Sequence, residues 1–306
     1  MADAPATKPA TPTVSPTGSA PQKMAGTPPF SMSKPSTSEG RWLNLMCYAK
    51  PGVGKTTLIG TAADIDEMQD VLLIDAESGT LAIEENDRIK HPERIMENHI
   101  RVTEFKQVAK IHEYLKAHCK WRDENNEEML RKIEAQIRGC QPSDIIKPKK
   151  YRTVLIDSLT EIDIYCTYGL LGINQNNVLH GESDDIEVAR FDEFRKNNQM
   201  MQMLVRAFRD LPMHVLAACG AKYNQDELKK MFWTPALTGQ LATQVPGFFD
   251  IVGFMQAAKN GDKVERRMYV KPVSNFEAKN RRSVFKADYF DDPTMTTIMK
   301  GIGLLK

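Results

Sequence analysis

Residues Ala49 to Thr57, A-K-P-G-V-G-K-T-T, set two glycines, a lysine and two hydroxyls in the spacing that wraps an oxyanion. In such a loop successive backbone N–H groups curl round a phosphate, and the helix that follows adds the positive end of its dipole. Gly52 and Gly54 supply conformations and a close approach that a Cβ would forbid, Lys55 would reach the β and γ phosphates, and the Thr56 hydroxyl would ligate Mg²⁺. Ala49 stands where glycine usually opens the loop, a difference of one methyl group. The plainer reading is an ordinary Gly-rich turn. The apolar run Trp42 to Tyr48 before it and the helix-like T-L-I-G-T-A-A-D-I after it favour the phosphate loop. Two acids complete the set. Glu77 follows the apolar run Asp70 to Ala76, and Asp157 closes Val154 to Asp157 with Ser158 beside it. A carboxylate at the end of a buried strand after a phosphate loop is the Walker B arrangement, which holds Mg²⁺ through water. Taken alone, an apolar run ending in Asp is common; the loop upstream gives it weight.

These residues need a frame of buried parallel strands with their tips at one edge, where ligands of open α/β sheets bind. Asp70 to Ala76 is too short and too β-branched for a helix, and Arg101 to Glu104 reads as a third strand. Phe105 to Cys119 carries Val108, Ile111 and Leu115 at helical spacing. Lys120 to Arg138, with Met129, Leu130, Ile133 and Ile137 as its apolar stripe, extends a helical insertion over about residues 105–140 as a surface or partner-binding helix. Lys147 to Arg152 is a basic turn. Thr160 to Leu171 reads as a helix, and Gly172 to Asp185 as a polar loop in which His180, Glu182, Asp184 and Asp185 match no metal-ligand spacing. A long helix over Ile186 to Arg209 buries Met200, Met201, Met203, Leu204 and Phe208. A strand over Met213 to Ala218 precedes Ala221 to Thr234, where Lys222, Lys229 and Lys230 mix with Tyr223, Phe232 and Trp233. Bases with aromatics suit single-stranded nucleic acid; an aromatic-packed β-hairpin fits equally. Then come a short helix (Leu237 to Val245), a strand (Phe249 to Met255), a turn at Asn260-Gly261-Asp262 into a strand over Arg266 to Val273, and a closing helix or tail over Asp292 to Leu305.

The 306 residues, 41% hydrophobic and 26% charged, suit one sizeable core. Forty-one basic and forty acidic side chains nearly cancel, so only local clusters can speak for nucleic acid. Lys263 to Lys286 is such a cluster, eight basic residues against Glu265 and Glu277. It would face nucleic acid, a neighbouring subunit's triphosphate, or solvent. Five scattered cysteines with no C-x-x-C point to reduced thiols in a cytoplasmic setting. No apolar run approaches the roughly 20 residues of a membrane span, and the start lacks a secretory pattern. Residues 1–40, with eight prolines and five charges, are expected to be a disordered Pro/Ala/Thr/Ser-rich tail.

In order and spacing, AKPGVGKTT, VLLIDAESGT and TVLIDSLTEI resemble the RecA-type P-loop ATPase core, and especially phage-encoded RecA-like ATPases linked to single-strand annealing recombination; the likeness spans about residues 42–290. The resemblance implies an α/β fold over 41–290, a mostly parallel sheet flanked by helices with a late antiparallel hairpin, and 291–306 as a C-terminal element. It makes Glu77 the activator of the attacking water and Asp157 the Mg²⁺ acid. It places two DNA-contacting loops at Gly172 to Asp185 and Ala221 to Thr234, the second offering Lys222, Tyr223, Lys229, Lys230 and Trp233. Where the family often carries a γ-phosphate-sensing Gln, this chain has Cys219 and Gly220. Lys279, Arg281 and Arg282 are the candidates to meet a neighbour's ATP.

The expectation is thus an ATP- and Mg²⁺-dependent RecA-like ATPase acting on single-stranded DNA in phage or bacterial recombination or replication. With no arginine finger evident in cis, it would be a homo-oligomer, ring or filament, in the bacterial host cytoplasm, with a recombination or replication partner. The rivals are a nucleotide-switched loading or assembly factor that scarcely hydrolyses ATP, and a P-loop kinase, for which no Arg-rich lid is visible.

Overall fold

Four apolar runs and one short edge segment make most of the parallel part of the sheet: β1 (Asn44–Ala49), β2 (Val71–Asp75), β3 (His99–Arg101), β4 (Thr153–Asp157) and β5 (His214–Gln225). The structure, a computed structural model, describes residues 42–173, 189–225, 229, 231–261, 263–273 and 275–305. The expected tail and the loop residues His180, Glu182, Asp184 and Asp185 lie outside the described residues. β6 (Met231–Pro235), β7 (Ile251–Asn260), β8 (Lys263–Tyr269), β9 (Lys279–Asn280) and β10 (Tyr289–Asp291) follow. The strand order is β3-β2-β4-β5-β1-β7-β8-β10, with β6 paired to β5 and β9 to β7. Pairings from β3 through to β7 are parallel; those of β8, β10, β6 and β9 are antiparallel.

Side chains alternate across a strand, so a strand covered on both faces must be apolar throughout. In β1, Met46 and Tyr48 face one core while Leu45, Cys47 and Ala49 face the other; in β5, Val215, Ala217 and Cys219 oppose Leu216 and Ala218. The first core is closed by α4 (Phe105–Asp123), α6 (Leu159–Leu170) and α7 (Phe191–Arg209), numbered in chain order with α1 (Lys55–Gly60), α2 (Leu81–Glu84), α3 (Glu93–Met96), α5 (Glu127–Arg138), α8 (Leu241–Gln244) and α9 (Met295–Gly301). The second is closed by Leu58 and Ile59 of α1 and Met295, Ile298 and Met299 of α9.

Several boundaries differ from the sequence expectation, each for a local reason. The third strand is His99–Arg101, not Arg101 to Glu104, because the Gln107 side chain accepts the Thr103 and Glu104 amides and makes them the cap of α4. The surface helix over Lys120 to Arg138 is two helices: Asn125 takes φ 51° and Asn126 caps α5 by accepting from the Met129 amide. Of the helix expected over Ile186 to Arg209, residues 186–188 lie outside the described residues; α7 starts at Phe191, where Glu193 accepts the Arg190 amide at 3.0 Å. In α7, Met201, Leu204 and Phe208 are buried as expected, but Met203 is 68% exposed, on the far side of the helix. The hairpin after Asn260 forms, with Asn260 opposite Lys263.

His214, the first residue of β5, anchors the start of β1. Its Nδ1 accepts the Leu43 amide at 3.0 Å and its ring meets Trp42 edge-on at 5.0 Å. Burial pushes His214 down to about 3, and the Arg152, Arg282 and Arg122 guanidinia reinforce the shift. The folded state therefore keeps it neutral, whereas the unfolded chain protonates it below about 6.5. Stability should be complete above that pH and fall as pH drops toward 3, by up to about 1.4 kcal/mol per unit. Urea unfolding at a series of pH values measures the slope, and His214→Asn is expected to flatten it.

Candidate active site

β1 ends at Ala49 and the chain turns through Lys50 to Gly54 before α1. Gly52 at φ 77° and Gly54 at φ 106° occupy backbone regions that L side chains rarely adopt. The first helical bond runs from the Leu58 amide to the Gly54 carbonyl at 2.9 Å. Lys55 is 8% exposed, Thr57 accepts from Asn86 at 2.9 Å, and Lys50 lies over the Trp233 ring at 4.5 Å. Pro51 is exposed and Val53 packs on the core beneath α1.

Strand register delivers the acids to the same edge. Ala49 pairs with Gly220 across β1 and β5, and Asp75 with Asp157 across β2 and β4. Asp157, 2% exposed, accepts from the Thr56 hydroxyl at 2.6 Å through Oδ2, and its Oδ1 is buried without a partner among the described residues. Burial pushes Asp157 up to about 6; the Thr56 hydrogen bond and Lys55 oppose this, while Glu77 and Asp75 add to it. A dry carboxylate with an unused oxygen beside a hydroxyl is a donor set suited to a hard divalent cation. Among the described residues no three His, Cys, Asp or Glu side chains cluster as a metal site. The remaining positions around such an ion would fall to phosphate oxygens and water. Thr56 and Asp157 thus fit Mg²⁺.

Glu77 lies one turn away. Its carboxylate accepts from the Ser158 hydroxyl, and Ser158 also caps α6 by accepting from the Glu161 amide. The Ala76 amide donates to the Asp157 carbonyl at 2.6 Å, locking the two strand tips together. Gly79 closes the rim: a Cβ there would stand 3.7 Å from Asp157 Oδ2 and 4.0 Å from Thr56 Oγ1.

The other candidates separate. Ala221 to Gln225 of β5 pair antiparallel with Met231 to Pro235 of β6, and residues 226–228 and Lys230 lie outside the described residues. Lys222 donates to the Leu237 carbonyl at 2.5 Å, and Trp233 is packed between Tyr223 at 4.5 Å and Phe254 at 6.2 Å. Tyr223 and Lys229 stay exposed. Lys279, Arg281 and Arg282 stand at the strand-start edge, far from their own loop. Asn280 pairs with Ile251, which is level with Leu45, four residues before Ala49. Lys279 donates to the Pro246, Gly247 and Phe249 carbonyls, Arg281 to Gly247 and Arg282 to Trp42. Thr160 bonds the Gly220 amide at 2.8 Å and touches Cys219 Sγ at 3.4 Å, so a hydroxyl from α6 occupies the corner where a polar strand-end residue was missing.

Two residues were not singled out from sequence. Asp75, buried, accepts the Glu77, Ser78 and Gly79 amides at 3.0, 2.7 and 3.4 Å and meets His99 at 3.2 Å. It shapes the turn that presents Glu77; its signal was an acid inside an otherwise apolar strand. Arg266 lies beside the loop, its Nε donating to the Val53 carbonyl at 3.1 Å, so an arginine does stand in cis. Its signal was only membership of the basic stretch. Asp75→Ala should cost about 1–3 kcal/mol by stripping the acceptor from three amides. Glu77→Gln, on the exposed tip of the same turn, should stay within about 0.5 kcal/mol. Urea unfolding of both variants checks the contrast.

Two solved structures are similar over most of their length: the flagellar accessory protein FlaH from Methanocaldococcus jannaschii, at 8% identity, covering 82% of this chain and 86% of that one with a TM-score of 0.38, and the KaiC-like protein PH0186 from Pyrococcus horikoshii OT3, at 10% identity, covering 81% and 84% with a TM-score of 0.42. At such scores neither likeness bears on function. No protein of curated function matches the sequence. An AAA domain model does match, over residues 42–282, and this span encloses the phosphate loop, Glu77, Asp157 and the sheet that joins them. On that match, over well more than half of its length, the chain belongs to the AAA domain family.

Proposed function

We propose that the protein is a Mg²⁺-dependent ATPase of RecA-like type, and the observation that carries this reading is Asp157, buried, bonded to Thr56 and left with one unpartnered oxygen beside Glu77. Bound Mg²⁺, held by Thr56 Oγ1 and through water by Asp157, would supply charge for the β and γ phosphate oxygens. The loop amides from Gly52 to Thr56 and the Lys55 ammonium bind the same oxygens. Glu77 orients a water for in-line attack and takes its proton. Ser158 fixes the carboxylate rotamer, and the Asp75 amide clamp fixes the backbone beneath it, so the base is preorganised before nucleotide arrives. Lys55→Ala should abolish nucleotide binding. Glu77→Gln should keep binding while kcat falls by about 10²–10⁴. Phosphate release and nucleotide titration, with and without EDTA, measure both; tight ATP binding without turnover in the wild type would favour a loading or assembly factor.

The same proposal includes single-stranded DNA as the partner, in phage or bacterial recombination or replication. Its support is the antiparallel pair grown directly from β5, where Tyr223 is 51% exposed and packs at a tilt of 36° against a Trp233 that Lys50 of the phosphate loop also covers. An exposed ring backed by a packed ring is a base-stacking platform, and stacking is worth about 1–3 kcal/mol per base. A homo-oligomer, ring or filament, belongs here too: a head-to-tail neighbour would bring its loop to the edge carrying Lys279, Arg281 and Arg282. Single-stranded DNA should stimulate the ATPase, and Tyr223→Ala should weaken that binding by about tenfold or more while leaving the DNA-free rate intact. Fluorescence anisotropy of a labelled oligonucleotide reads the affinity; no DNA effect on either protein would remove the nucleic acid from the proposal.

A further inference from the structure

The run from Lys263 to Lys286 is basic, yet its cations have different employment. Arg267 meets Asp291 at 2.8 Å and Lys271 meets Asp288 at 2.6 Å. Lys279 and Arg281 are occupied by carbonyls at the opposite end of the sheet. Arg266 differs from these. It sits on β8, opposite Ala257 of β7, and reaches sideways to the phosphate loop. Its Nε donates to the Val53 carbonyl at 3.1 Å, and a Cβ on Gly54 would stand 3.4 Å from that nitrogen. Among the described residues no carboxylate pairs with its guanidinium. One bond therefore fixes the planar fork against the loop, and Nη1 and Nη2 keep donors for an oxyanion.

The strand order says which part of the oxyanion. Asp157 ends β4 and Glu77 follows β2, on one side of β1; β7 and β8 lie on the other. With the γ end of a triphosphate over Thr56, Asp157 and Glu77, the side of the loop left for its α-phosphate is the one where Arg266 bonds Val53. Resting on the ATPase reading above, we propose that Arg266 binds the α/β end of the nucleotide's phosphate chain in cis, a contact that ATP and ADP share. The net charge of the late hairpin thus serves, at this residue, the chain's own nucleotide.

Calorimetric titration of Mg-ATP and Mg-ADP into wild type, Arg266→Met and Arg266→Lys tests this, with thermal melts to verify folding. Arg266→Met should weaken both nucleotides by the same factor, about tenfold to a hundredfold. KM should rise while kcat at saturating ATP stays nearly unchanged, and Arg266→Lys should recover part of the affinity. If Arg266→Met fails to fold, Arg266→Gln carries the same comparison. Loss of ATP but not ADP affinity, with kcat collapsing, would put the guanidinium on the γ phosphate and overturn the proposal. So would unchanged affinities with a lowered melting temperature, which would leave Arg266 as a clamp on Val53 alone. A wild type that binds neither nucleotide is a different failure, since it removes the ATPase reading itself.

Discussion

Every group at the site depends on the parallel register that threads β5 between β1 and β4. Ala49 pairs with Gly220, and Ile156 with Ala217, so β1 and β4 end within two residues of each other along β5, which itself continues to Gln225. Asp157 arrives within 2.6 Å of Thr56 although 101 residues separate them. A slip of one residue in either pairing would turn Asp157 to the opposite face of the sheet, because the side-chain period is two. Packing on both faces holds the acid in place: a slip would mismatch the close-packed side chains of both cores and carry the Asp157 carboxylate away from Thr56.

Within that frame the strand tips form a small polar network in an otherwise dry setting. Asp157 is left short of partners, while Asp75 beside it is fully used on three amides and a histidine. Two neighbouring carboxylates thus take different tasks, one structural and one available for a cation, set by which groups the turn after β2 offers. Ser158 joins these halves, its hydroxyl donating a hydrogen bond to Glu77 while its oxygen accepts the Glu161 amide and caps α6. Movement of α6 would accordingly be felt at Glu77. The opposite route runs through Lys50 and Trp233, which tie the phosphate loop to the β5–β6 hairpin.

Net charge is a poor guide to surface here. The basic stretch contributes to three unrelated places: the phosphate loop through Arg266, ion pairs along the outer hairpin through Arg267 and Lys271, and backbone carbonyls at the strand-start edge through Lys279 and Arg281. An antiparallel hairpin sends alternate residues to opposite faces, and a crossing of the sheet separates what sequence keeps together.

The phosphate loop, the alternation of strand and helix, and the two acids at strand ends are legible in the residues alone. These are written in local signals: Gly at positions needing positive φ, β-branched runs too short for helices, and an acid at a strand's end. The sequence also placed most elements within a few residues, missing where side chains cap helices, as Gln107 does for Thr103 and Glu104. Four contacts come from the folded chain instead: Asp75 supports the Glu77 turn, Thr160 fills the corner at Gly220, Arg266 reaches its own loop, and Trp233 packs against Phe254. Each of these is a contact between segments distant in sequence. Which partner a side chain meets depends on strand order, and strand order is not encoded in any local pattern of residues.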